Sequence, residues 1–159
     1  MATEGHDEDV LELMRAAAAE TPLHKLLDLR PIRLDTEGVT LEMPVAEGAL
    51  NLTGNLHGGA IATLIDVTAG TAAAVCSTTF EPGVNTIVTA DMHVRYLARA
   101  RGDYVRAHAR VLRSGRSLVV VECTVRDEDG RVIAVADFAS MVVPLRQALR
   151  TGDARNPDL

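Results

Sequence analysis

Within NLTGNLHGGAIATLIDVTAG, residues 51–70, polar residues and glycines precede an apolar run that carries one carboxylate, Asp66. The first N–H groups of a helix have no intrahelical acceptors, and glycine lets a ligand approach the backbone closely. A helix beginning at Gly58-Gly59 would aim free N–H groups, and the positive end of its dipole, at an acyl carbonyl oxygen, with Gly58 the preferred donor. The same glycines also suit a turn that only permits tight packing. Asp66, flanked by Ile65 and Val67, is an acid whose burial costs free energy unless something compensates it. It reads either as a catalytic base or nucleophile, or as a carboxylate satisfied by a nearby donor.

Spacing adds a constraint. Gly59 and Asp66 are seven positions apart, about 10 Å along a regular helix and on nearly the same face. One carbonyl cannot touch both. A shared reaction centre therefore requires the acid and the backbone donor to come from different subunits, or one of them to be uninvolved. His57 could bond the reacting end, orient the loop or cap the helix. Asn51 could fix His57, a carbonyl or a water through its amide, or stabilise a turn. Thr89 could assist Asp66 or orient a water, or simply form strand.

These groups need elements to hold them. From Gly58 to Cys76 the chain is nearly uncharged and alanine-rich, with Ile61, Leu64, Ile65 and Val75 as its bulk. It reads as a core helix, too short and too polar at its start for a membrane span. NTIVTADMHVRYL alternates Val88, Ala90, Met92, Val94 and Tyr96 against Thr89, Asp91, His93 and Arg95. DYVRAHARVL, SLVVVECTVRD and RVIAVADFASMVVP follow as further strands, separated by turn residues at Ser114-Gly115 and Asp127–Gly130. Upstream, Val39, Leu41 and Met43 alternate in extended chain, and Pro31 disfavours helix at Arg30. MATEGHDED is predicted to be mobile or peripheral, VLELMRAAAAE to be helical through Val10, Leu13, Met14 and Ala17, and EGALNLTGN to be a loop. RQALRTGDARNPDL reads as a loose tail. One long helix followed by closely spaced strands predicts an α+β layer fold rather than a βαβ nucleotide-binding fold.

Composition narrows the function. A chain of 159 residues with 47% apolar content fits one domain with a substantial core. The net charge of -6 argues against nucleic acid as a partner. No basic-then-apolar leader precedes the acidic start, so the expected location is cytoplasmic, with no membrane partner. Cys76 and Cys123 form no metal-like cluster and read as buried thiols. No metal or tightly held cofactor is implied.

At Asn51, Gly54, the His57-Gly58-Gly59 run, Asp66, and the TADMHVRYL segment with Thr89 and Asp91, the chain resembles the hotdog-fold acyl-CoA thioesterase superfamily, in its phenylacetic-acid-degradation thioesterase-like branch. The likeness covers most of residues 25–143, between an N-terminal segment (1–24) and a tail (144–159). It implies a single-domain hotdog fold: a long central helix wrapped by an antiparallel β-sheet. It also implies a homodimer paired through an extended sheet, commonly joined into a homotetramer, with active sites shared across each dimer interface. Carried onto this chain, Asn51, His57 and Gly58 belong to one side of a site, and Asp66 and Thr89 to the other subunit. The implied reaction is hydrolysis of an acyl-CoA thioester. Gly58 N–H polarises the carbonyl, Asp66 activates water or attacks as nucleophile, Thr89 orients the water, and Asn51 and His57 position the reacting end. Gly59 completes the close approach to substrate, and the CoA phosphates call for local cations, Arg116 first and Arg95 second. Two other readings stay open: a noncatalytic acyl-CoA binding or sensing protein of the same fold, and a hotdog dehydratase acting on an acyl thioester.

Overall fold

The computed structural model describes residues 3–35 and 37–145, with residues 3–7 described by backbone alone. Its elements run α1 (Thr3–Glu20), α2 (Pro22–Leu27), β1 (Arg30–Asp35), β2 (Gly38–Pro44), a 3-10 turn (Glu47–Ala49), α3 (Gly58–Cys76), β3 (Asn85–Tyr96), β4 (Tyr104–Ser114), β5 (Leu118–Asp127) and β6 (Val132–Pro144). The strands form one six-stranded sheet in the order β1-β2-β4-β5-β6-β3, antiparallel throughout. This is the α+β arrangement the alternation predicted, with α3 lying across the sheet.

The helix sits where its side chains dictate. Ala60, Ile61, Leu64, Ile65, Thr68, Ala69, Ala72 and Ala73 recur at helical spacing and are the buried face of α3. Against them the sheet sets Val105, Val121, Val125 and Phe138, all buried. Ala69, Ala72 and Ala73, each fully buried, let the helix backbone settle close onto the strands. By length and composition α3 could cross a bilayer, contrary to the expectation that it is too short; its packing against five strands makes it the core helix. β2 enters beside β4 through Gly38, whose φ is +140° and where a Cβ would meet the Ala109 carbonyl oxygen at 2.1 Å.

Three local readings need correction. Helix α1 begins at Thr3, seven residues before the helix expected from Val10. Four of its six acids, Glu4, Asp7, Glu8 and Asp9, fall in the first two turns, where the helix dipole favours negative charge. The helix lies on β1, with Leu11 and Ala18 buried and Arg15 Nε donating to the Pro31 carbonyl at 3.3 Å. Cys76 is exposed, because it is the last residue of α3, whereas Cys123 on β5 is buried as expected and its thiol is pushed up to about 12 by burial. The third concerns β3. Val88 and Ala90 were expected to share a face with Met92, Val94 and Tyr96, but a β-bulge at Ala90 breaks the alternation between Thr89 and Asp91. The inserted residue reverses parity, so Ile87 and Thr89 point toward α3 along with Met92 and Val94. The expected tail from Arg146 onward lies outside the described residues.

Candidate active site

Helix α3 starts as a built donor. His57 is its N-cap, in extended backbone with φ -65° and ψ 134°, and its Nδ1 accepts the Gly59 N–H at 2.9 Å. An accepting Nδ1 puts the proton of the neutral ring on Nε2, so this exposed side chain offers Nε2–H outward. A Cβ on Gly59 would stand 3.1 Å from His57 Nδ1, so glycine makes room for the capping ring. With the Gly59 N–H committed to His57, the neighbouring Gly58 N–H meets no acceptor among the described residues and is the open donor at the helix mouth.

Two further bonds fix that mouth. The preceding loop is an Asx turn: Asn51 Oδ1 accepts from Thr53 N–H (2.9 Å), Thr53 Oγ1 (2.7 Å) and Asn55 N–H (3.2 Å), with Gly54 left-handed at φ +73°. The Asn51 carbonyl is thus spent on the loop, and only its Nδ2 is left to reach outward. Tyr96 on β3 donates its hydroxyl to the Gly58 carbonyl at 3.0 Å and lays its ring against Gly58. Sequence reasoning counted Tyr96 only as an apolar strand residue; its signal was a phenol, whose hydroxyl needs a partner when the ring packs.

Further along α3, half-buried Asp66 accepts the Thr89 hydroxyl on Oδ1 at 2.7 Å. The pair exists because of the bulge at Ala90: in unbroken register Thr89 would face away from the helix side occupied by Met92 and Val94. Asp66 and Thr89 open onto a cavity of about 730 Å³ between α1, α3 and the start of β3. Its walls are mainly apolar, and α1 supplies Val10, Leu13, Met14 and Ala17. Asn51, His57 and Gly58 are absent from this lining. Gly58 and Asp66 are eight positions apart along the helix, about 12 Å of rise. Within one chain, donor and acid do not meet.

The arginines are placed apart as well. Arg95 follows the bulge on the face turned away from α3, where it pairs with Asp137 at 3.4 Å and both side chains are exposed. Arg116 sits exposed in the tight turn between β4 and β5, near the C-terminal end of α3, where Ser114 Oγ accepts the Thr78 N–H at 3.4 Å. Neither lines the cavity. β3 itself is an edge among the described residues: its 12 residues pair there with β6 alone, and most are exposed along their length. A long open edge is a template for pairing with another chain.

Comparison with known proteins gives a consistent picture. The family model described as the thioesterase superfamily matches residues 53–134, from the Asx turn through β6's first residues. Human acyl-coenzyme A thioesterase 13 is 35% identical over 98 residues, covering 60% of this chain and 66% of that protein. A Saccharolobus solfataricus protein with a provisional esterase name is 31% identical over 114 residues, covering 72% of this chain and 78% of the relative. Among solved structures, a mutant thioesterase from Pseudomonas aeruginosa superposes with a TM-score of 0.78 at 28% identity, covering 85% of this chain and 94% of the other.

Proposed function

We propose that this chain, which belongs to the thioesterase superfamily and shares its hotdog fold and general thioester-hydrolase character, cleaves acyl-CoA to the free acid and CoA in a homodimer whose sites are each built from both subunits. The observation that carries the reading is the Thr89–Asp66 pair at the mouth of an apolar cavity. Donating its proton to Asp66 leaves the Thr89 oxygen with lone pairs, and Asp66 with a second, free oxygen. A water could donate to both and present its own lone pair to a carbonyl carbon. Asp66 is then the general base, and Thr89 the group that holds it and the water in place.

The electrophile is set up from the other subunit. Gly58 N–H, backed by the α3 dipole, takes the thioester oxygen and gains strength as negative charge builds there. His57 Nε2–H and Asn51 Nδ2 are the donors that position the reacting end. Pairing of two β3 edges about a two-fold axis is the contact that would bring the donor end of one α3 to Asp66 of its partner. The phosphates of CoA need local cations on this acidic chain; Arg116 is the first candidate and Arg95, weakly paired to Asp137, the second.

The primary test is release of free CoA from a panel of acyl-CoA thioesters, followed with a thiol reagent. Turnover is expected; tight binding of an acyl-CoA without release would identify a binding or sensing protein instead. The Tyr96 bond gives a finer check. Tyr96→Phe removes one hydrogen bond that seats Gly58 and should lower kcat roughly fivefold with KM little changed, as for loss of a bond worth about 1 kcal/mol. An unchanged kcat would mean that Tyr96 does not set the donor's position.

A further inference from the structure

We propose that Ser140 on β6 is a positioning residue for the reaction: its buried hydroxyl donates to Thr89 and so holds the Thr89 hydroxyl on Asp66. This rests on the hydrolase reading above and adds a third member to the pair of Asp66 and Thr89.

Ser140 stands out by what it lacks. Four polar residues are buried among the described residues: Thr40, Thr68, Asp127 and Ser140. Three of them are satisfied, as buried polar groups ordinarily are. Thr68 donates its hydroxyl to the Leu64 carbonyl at 2.6 Å, Thr40 Oγ1 lies 3.0 Å from His108 Nδ1, and Asp127 accepts the backbone N–H groups of Arg101 and Arg131. Ser140 is 0% exposed, and its Oγ meets no partner among the described residues. Leaving such a hydroxyl unbonded costs free energy. Packing alone does not call for it. Ala134, Ala136, Phe138 and Ser140 alternate as buried positions of β6, and the alanines show that a small apolar side chain serves on this face.

The strand register says what the hydroxyl is for. Ser140 is paired with Thr89 on one side and with Val119, which offers no polar atom, on the other. The bulge at Ala90 leaves Thr89 on the face of Ser140, whereas Asp91, past the bulge, pairs with Ala139 on the opposite face. Directly opposed side chains of an antiparallel pair have Cβ atoms about 4.5–5.5 Å apart, close enough for serine and threonine hydroxyls to bond. Thr89 has given its own proton to Asp66 Oδ1 at 2.7 Å, so its oxygen is an acceptor. Full burial keeps solvent and any second subunit from Ser140, which has a proton to give. Closing the bond takes a turn of Ser140 about χ1 between staggered wells.

The consequence is one of direction. A threonine hydroxyl rotates freely unless something fixes it. Once its oxygen accepts from Ser140, the Thr89 proton is kept on Asp66, and one lone pair is left for the water that attacks. Hydrogen bonds that run one way along a chain of hydroxyls also strengthen one another. Ser140 gives up no proton in the reaction and touches no substrate; it acts only through Thr89.

The test is Ser140→Ala in the full-length protein, followed by CoA release. Its kcat should fall about fivefold, with KM within about twofold of native, as for loss of one hydrogen bond. Alanine removes a buried hydroxyl that has no partner in the structure, so the variant should fold with Tm no lower than native. A double-mutant cycle with Thr89→Val supplies the readout that a structural role would not move. Valine keeps the shape of threonine and deletes the acceptor, so in that background Ser140→Ala should change kcat by less than about twofold. An unchanged kcat in Ser140→Ala overturns the assignment, as does the same loss in the Thr89→Val background. If native protein releases CoA in either case, hydrolysis stands and only the role of Ser140 falls. Release of CoA from no acyl-CoA in the panel removes both.

Discussion

Asp66→Asn is expected to lower kcat for the best acyl-CoA about 10³-fold, within the range for loss of a positioned general base, while KM stays within about threefold. Asparagine keeps the shape of the side chain and an oxygen to accept the Thr89 hydroxyl, the bond seen at 2.7 Å. What it removes is the second oxygen's ability to take a proton from water. The cavity and the Gly58 donor are untouched, so ground-state binding should survive and the loss should fall on the chemical step. Steady-state kinetics with a thermal-stability control measures it. Retention of more than a tenth of native kcat would exclude Asp66 as base and as nucleophile together. Single turnover in labelled-oxygen water separates those roles: label in the acid product with none in the Asp66 carboxylate fits general-base attack, whereas label in Asp66 would establish a covalent acyl-aspartyl step.

The second large effect tests the division of the site. Gly58→Pro deletes the open N–H, and loss of one such donor costs about 10²–10³ in kcat. The replacement suits the position. Proline is favoured at the first residue of a helix, His57 before it already has the extended backbone that a following proline demands, and a Cβ at residue 58 stands in ordinary contact with Tyr96 at 3.5 Å. Asp66→Ala disables the other half. Heterodimers of the two variants, isolated with distinct affinity tags, contain one doubly damaged site and one intact site if each site is shared. They should regain about half the native activity per dimer, roughly 100-fold above either parent. A purified heterodimer no more active than its parents would mean that the open donor and the acid do not serve one centre.

Both predictions are legible in outline in the sequence itself. HGG before an apolar run locates a helix start, and α3 does begin at Gly58 and end at Cys76. The distance from Gly58 to Asp66 follows from helical rise alone, because rise per residue is a local property of the backbone. The same holds for the four later strands, whose alternation and turn residues are local signals. Other features were not legible, for reasons that can be named. Thr89 was placed on the wrong face because a bulge is settled by pairing with β6 and leaves no mark in the alternation of β3 itself. Cys76 reads as a buried thiol from the lack of a metal-like cluster, yet as the last residue of α3 it is exposed, a matter of where the helix ends in the fold. The Val10, Leu13, Met14 and Ala17 face of α1 was visible as a helix stripe, but periodicity does not say whether a stripe meets a core or a cavity.

What the sequence determined by itself is therefore the parts: a helix that opens on a free N–H, an acid too far down it to share a carbonyl, and strands with one buried face. Periodicity, capping and rise act between residues close in the chain, and can be read there. Only the tertiary structure decided which parts meet: Thr89 on Asp66, Tyr96 on Gly58, and Ser140 opposite Thr89. Those contacts join residues distant in sequence, and their geometry depends on strand order and on one inserted residue in β3, neither of which a local pattern encodes.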